Sequence, residues 1–389
     1  MVGTHGRSLW ILDDLTPFQQ FTPQIASEPV HLFPPPATLR FWPWSQVEGL
    51  GDSEFYGGNP TNGAQLSYFL AHEVKEPGQL VIADSHGHAV RTLKATHQLD
   101  QGETPPEDED IPPAAQKGAQ RAEQEAVKPA QPATPSQAQQ QIEPAKNAEE
   151  EESQAGPPAK VPWVPTKPGL QRLYWDLRAD GPVRWESAKD FNKGPKSGPL
   201  VPPGEYTAAL TIGGQTNTQK FMVVNDPRSH ADPAGLQTLY QTIQSVLHEV
   251  SQLDTALNRL DAMQAQLQAL RQVVKGATDE PAVTPTIDKF EKQIKATHAP
   301  ITSNAGAAES NLRVPGKIRE HLLALDGVLE GADNPPTAAI LEQKERLGPE
   351  YQSAIQKFNQ FVQTDTAAVN AALAQHKLTG VVAGEPLQP

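Results

Sequence analysis

"PPGEYTAALTIGGQTNTQKFMVVNDPRSHADP", residues 202–233, changes its hydrophobic period partway along. Tyr206, Ala208 and Leu210 alternate with polar or small neighbours, and Phe221 to Val224 return as a second apolar run. Gly213-Gly214 sits between them, where a two-residue hairpin turn needs positive φ at both positions. Past Asp226-Pro227 the alternation stops. Asp232-Pro233 then offers a helix N-cap followed by a first-turn proline. The chain is therefore expected to be a multidomain α+β protein, with sheets up to residue 226 and helices beyond.

Working back towards the N-terminus, "GLQRLYWDLR" (169–178), "GQLVIAD" (78–84) and "AQLSYFLA" (64–71) read as strands, the last with Leu66, Tyr68 and Leu70 on one side. "DSHGHAVRTL" (84–93) continues the second of these as a hairpin around Gly87. "LFPPPATLRFWPW" (32–44) is an extended connector, because consecutive prolines forbid helix. "SLWIL", bounded by Gly6 and Asp13-Asp14, is a short buried-strand signal near the start.

Between Gln101 and Lys160 the only large aliphatics are Ile111, Val127 and Ile142, and there are no aromatics. Ala, Gln, Pro and Glu dominate, ending in the acidic run Glu149–Glu152. Such a tract cannot bury enough apolar surface to offset the ~1–2 kcal/mol per residue of backbone ordering, so disorder is expected. The strands on either side are too few for two separate sheets. One β-domain with a long insertion is the economical reading, since loop closure costs only logarithmically in length.

Downstream, Leu236, Ile243, Val250 and Leu257 recur every seven residues. Leu239, Val246, Leu253, Leu260, Leu267 and Val274 do the same, with Gln264 and Arg271 interrupting the first series. Shorter helices are predicted over 284–298 and 316–330, and a last long one after Asn334-Pro335 carrying Ile340 to Leu373. Four apolar stripes point to an antiparallel bundle. The expected division is 1–30, a terminal strand and its exit; 31–100 with 161–226, a β-sandwich; 101–160, the insertion; 229–378, the bundle; and 379–389, a flexible tail.

Bulk composition narrows the function classes. A formal charge of −14 disfavours nucleic acid and anionic membrane surfaces, which need a basic face. The absence of Cys removes disulfides, thiolate metal sites and Cys nucleophiles. No run reaches the ~18 apolar residues of a membrane span. Nor is there a charged-then-apolar leader at Met1, so a chain complete as it stands is expected to be cytoplasmic.

One string of motifs carries a family likeness. "VGTHGRSLWILDDLTPFQQ" (2–20) resembles the closing strand and exit of large secreted bacterial β-propellers with BNR/Asp-box repeats, relatives of the sortilin-type propeller. "LFPPP" (32–36), "GGNPTNGAQLSYFL" (57–70), "GLQRLYWDLR" (169–178) and "GPLVPPGEYTAALTIGGQTNTQKFMVVNDPR" (198–228) resemble the immunoglobulin-like module that follows such a propeller, similar to that of flagellar hook-capping proteins. A helical tail is also usual there. The likeness spans about 1–30, 57–100 and 165–275. No Ser-x-Asp-x-Gly-x-x-Trp box occurs in the chain, so the propeller itself is missing. The resemblance implies a non-catalytic accessory region of an extracellular or periplasmic protein, with the missing blades as partner and other proteins or glycans as further contacts. It carries over no catalytic residue. Two alternatives stand beside it: the binding or spacer part of a sialidase-like glycoside hydrolase whose catalytic blades lie elsewhere, and a helical adaptor that dimerises.

The candidate ligand-binding residues are His5 and Arg7 on the Gly-flanked turn, and Trp42, Trp44 and Tyr56, which with Phe55 could stack on a sugar. A structural turn and an interdomain plug are the plainer readings of the two groups. Asp13-Asp14 reads as strand termination, because adjacent strand residues point apart and cannot flank one bond. Asp84, His86 and His88 have metal-like spacing, but on an exposed turn they are expected to diverge, so no metal and no cofactor is assigned. P-loop, Gly-x-Ser-x-Gly, His-Glu-x-x-His and dinucleotide fingerprints are all absent from the sequence.

Overall fold

The computed structural model describes residues 2–3, 9–10, 14–41, 63–93, 97–98, 160–161, 164–188, 194–303 and 315–388. The fold is mixed α+β, in two compact units. One draws on Met1–Leu177 and Gly204–Asp226, the other on Arg178–Pro203 and Pro227–Pro389. The insertion expected over 101–160 lies outside the described residues except for Lys160.

The first unit opens with two short strands, β1 (Val2–Gly3) and β2 (Leu9–Trp10), then helical turns α1 (Thr16–Gln20) and α2 (Pro23–Ala26). β3 (Val30–Leu32), β4 (Thr38–Arg40), β5 (Ala64–Leu70), β6 (Gln79–Ala83) and β7 (Ala89–Leu93) follow, and two-residue strands β8 (His97–Gln98) and β9 (Lys160–Val161) pair with each other. β10 (Gly169–Trp175) pairs antiparallel with β5, which also carries β3, giving a three-stranded sheet.

In the second unit β11 (Arg178–Asp180) pairs with β12 (Ser197–Leu200). The chain then returns to the first unit as β13 (Gly204–Ile212) and β14 (Gln215–Asn225), the centre of a five-stranded sheet ordered β4-β14-β13-β6-β7. Gly213 and Gly214, with φ of 57° and 77°, make the expected two-residue turn, and the register closes Ile212 on Gln215. β4 alone runs parallel to its neighbour.

Alternation decides which faces are buried. Leu66, Tyr68 and Leu70 of β5 and Leu80 and Ile82 of β6 are fully buried, as are Ala208 and Leu210 of β13. Trp175 on β10 meets Tyr206 and Phe221 of the larger sheet at ring-centroid distances of 5.5 and 6.1 Å. The Tyr68 hydroxyl donates to the Pro165 carbonyl (2.5 Å), and the Gln219 amide donates to the Leu32 carbonyl (3.0 Å).

The second unit is built on α3 (Pro233–Val274), capped by the Asp232 carboxylate accepting from the Gly235 amide at 3.1 Å. α4 (Glu280–His298), α5 (Ile318–Glu330) and α6 (Ala338–Gln360) all pack on it. Both seven-residue series of α3 are buried among these neighbours, as their spacing requires. The last helix starts later than Asn334-Pro335 suggests. Thr337 is its cap, because a residue before proline is pushed out of the helical region and Pro335-Pro336 holds the preceding turn extended. A π-helical turn, Phe361–Asp365, then separates α6 from α7 (Thr366–Gln375) and stacks Phe361 on Phe290 of α4 at 5.1 Å. No described helix is long and apolar enough to cross a membrane.

Two boundaries differ from the sequence reading. Arg178–Pro203, expected in the sandwich, groups with the helices. The tail 379–389, expected to be flexible, is docked as far as it is described: Val381 and Ala383 are buried in the helical core. Its backbone is held by side-chain amides. Asn370 exchanges both hydrogen bonds with Val381 (2.6 and 2.9 Å), Gln266 does so with Val382 (2.8 and 3.1 Å), and Asn359 with Leu387 (both 2.7 Å). Ending the chain after Gly380 is expected to cost about 1.5–3 kcal/mol from Val381 burial alone. Urea unfolding of the truncated chain checks this, and unchanged stability would contradict the docking.

Candidate functional site

The β6–β7 turn is built by Asp84. Its main-chain amide and carbonyl close the turn with His88 and Gly87 (2.9 and 3.0 Å), and its Oδ1 accepts from the amides of both His86 and His88 at 2.9 Å. Gly87 takes φ of 83°, a backbone state that side chains disfavour. The expectation that the three polar side chains diverge does not hold. With a left-handed residue between them, the two imidazoles stack, centroids 6.0 Å apart and planes 23° from parallel. Asp84 Oδ2 faces His88 Nδ1 at 3.3 Å and His86 Nδ1 at 3.9 Å. One potential ligand atom from each of the three residues lies within 4.8 Å of those from the other two.

His5, Arg7, Trp42, Trp44 and Tyr56, with Phe55 and Asp13, lie outside the described residues. Asp14 is described, and its role is structural. Its Oδ1 accepts from the Thr16 amide (2.8 Å), its Oδ2 from Gln65 (3.1 Å), and its carbonyl from Arg172 (3.3 Å).

In the helical unit a second polar assembly lies on α3. Ser251, Asp254, Asn258 and Asp261 recur at helical spacing on one face and read the extended segment 183–186. The Ser251 hydroxyl oxygen accepts from the Val183 amide at 3.0 Å, and Asp254 Oδ2 accepts from the Trp185 amide at 2.9 Å. Asn258 accepts from the Glu186 amide and donates to the Arg184 carbonyl, both at 2.9 Å, and Asp261 accepts from the Trp185 indole at 2.7 Å. These residues were missed from sequence, where attention to the apolar series hides a polar series between them.

Arg319 of α5 completes the cluster. Its Nε and Nη2 donate to the two Asp254 oxygens at 2.5 and 3.1 Å, both side chains are fully buried, and its guanidinium lies 5.6 Å from the centroid of the Trp185 ring. Burial raises the Asp254 carboxyl pKa, opposed by Arg319 and the Trp185 amide. His298 packs edge-on against Trp185 at 5.5 Å, and its burial lowers the imidazole pKa against the pull of Asp261 and Glu320. A surface groove of about 480 Å³ runs past Asp261, Ile294, Lys295, His298 and Lys317. Glu320 beside it accepts from the Thr302 hydroxyl (2.5 Å) and from the amides of Ser303 (3.2 Å) and Lys317 (2.8 Å).

Asp326, on the same helix as Arg319, is buried, and its Oδ1 has no hydrogen-bond partner among the described residues. Burial and the neighbouring Glu330 push its carboxyl up to about 7, with Arg178 opposing. No family model matches the chain, and no curated protein or solved structure does either.

Two outcomes follow from these buried groups. Asp254→Ala leaves Arg319 charged and unanswered and is expected to cost about 3–5 kcal/mol, with part restored when Arg319 is also replaced by Met. A loss below about 1 kcal/mol in urea unfolding would contradict the role given to this pair. For Asp326 the folded-state pKa is raised, so the folded protein binds the proton more tightly than the unfolded chain. The resulting stabilisation is complete below about pH 4 and is lost as pH rises towards 7, amounting to roughly 4 kcal/mol at most. The stability difference between the wild type and Asp326→Asn should therefore fall across that window and level off above it. A difference independent of pH would refute the assignment.

Proposed function

We propose that the chain is a non-catalytic accessory and interaction region of a secreted β-propeller protein, acting outside the cytoplasm. In this reading the three- and five-stranded sheets of its first unit form an immunoglobulin-like sandwich and its helical unit is an antiparallel bundle. The observation that carries the proposal is the β1–β2 pair. It is held by two register positions, Val2 with Trp10 and Gly3 with Leu9, and among the described residues it joins no other strand. A two-stranded ladder this short is not stable in water by itself, so the pair suits a place at the margin of a sheet completed by other strands. Propeller blades, which the "GTHGRSLWILDD" motif resembles, would supply that sheet.

The burial of Trp175 between strands of both sheets supports the sandwich reading, and the packing of α4, α5 and α6 on α3 supports the bundle. Both seven-residue series of α3 are used within the unit, which favours a supporting role over dimerisation through that seam.

Amide hydrogen exchange tests the proposal on the chain alone and on the chain fused to whatever its gene encodes in frame before Met1. The expected result is an upstream frame rich in Ser-x-Asp-x-Gly-x-x-Trp repeats, and protection of the β1–β2 amides that rises at least about a hundredfold in the fusion. An in-frame stop directly upstream, or amides equally protected in both proteins, would overturn it.

A further inference from the structure

We propose that Asp84, His86 and His88 form a surface binding site for a divalent transition-metal ion of the zinc class. The donor set is two imidazoles and one carboxylate, which suits borderline ions such as zinc better than magnesium or calcium. At zinc-to-ligand distances of about 2.0–2.1 Å, two tetrahedral ligands stand about 3.3 Å apart. Asp84 Oδ2 and His88 Nδ1 are already 3.3 Å apart. The 3.9 Å between Asp84 Oδ2 and His86 Nδ1 closes with a small rotation of an imidazole that is 78% exposed.

The carboxylate is oriented before any ion arrives. Asp84 Oδ1 is committed to the His86 and His88 amides, which turns Oδ2 towards the rings, the kind of outer-shell support that metal ligands receive elsewhere. Gly87 holds the two histidines on the same side, and a Cβ there would meet nothing within 4 Å. Its φ of 83°, more than space, is what favours glycine. Exposure of both imidazoles leaves a fourth position for water or for a donor from another molecule. The ion would also sit on a chain of formal charge −14, whose field attracts cations.

Isothermal titration of the full chain with zinc chloride near neutral pH, in a buffer that does not bind metal, tests the site. His86→Ala and His88→Ala are each expected to weaken one binding event at least about tenfold, and the double variant to abolish it. Asp84→Asn keeps an oxygen for the two amides but turns an NH2 group towards the ion in place of Oδ2, so it too is expected to weaken binding at least about tenfold. Cobalt in place of zinc should give visible absorption bands of a tetrahedral site in the wild type and not in the double variant. Circular dichroism separates loss of ligands from loss of fold, since both histidines are exposed. The chain has 11 histidines, so zinc binding alone does not locate the site. Unchanged affinity and stoichiometry in the double variant would overturn the proposal, as would magnesium binding as tightly as zinc.

Discussion

A carboxylate with no access to water must have its charge answered from inside the protein, and Asp254 is in that position. Arg319 of α5 answers it through two hydrogen bonds, and the Trp185 amide supplies a third. One side chain on α3 thereby fixes the position of a second helix and of an extended segment that would otherwise have no sheet to join. The neighbours of Asp254 on the same helical face extend the arrangement. Ser251, Asn258 and Asp261 satisfy backbone or indole groups of the same short segment, so Trp185 is buried there with its amide and indole N–H both partnered. The apolar series of α3 drives the helices together, and the polar series between them determines which non-helical segment the helix accepts.

The β-rich unit relies on a different constraint. Its core is assembled by period-two alternation, so the register of each strand determines which residues meet. The Gly213-Gly214 turn fixes that register for the longest pair, and Trp175 then closes the gap between the sheets against Tyr206 and Phe221.

Features governed by local periodicity were legible in the sequence. Leu66, Tyr68 and Leu70 are buried on β5 as their alternation requires, the Gly-Gly turn closes as expected, and the seven-residue series of α3 faces its neighbours. What could not be read depends on side chains binding distant backbone. Arg178–Pro203 looks like strand sequence, and it is tied to the helices by the hydrogen bonds from Ser251 to Asp261, by the Arg178–Glu330 ion pair and by Trp185 and Ala188 in the helical core. The convergence of His86 and His88 depends on the torsion angle of one glycine, which spacing does not reveal. The signal that could have exposed the first was present: polar residues 251, 254, 258 and 261 follow helical spacing between the apolar series.

The docked tail depends on one kind of side chain. Asn359, Asn370 and Gln266 each present an N–H to a carbonyl and an oxygen to an amide, so each imitates one residue of a neighbouring strand. Only a carboxamide can do both, because a carboxylate accepts but does not donate. Aspartate in place of Asn359 or Asn370 would therefore turn a matched pair into two oxygens facing each other. Attachment of the C-terminal segment thus depends on three neutral amides, which no carboxylate of the same shape can replace.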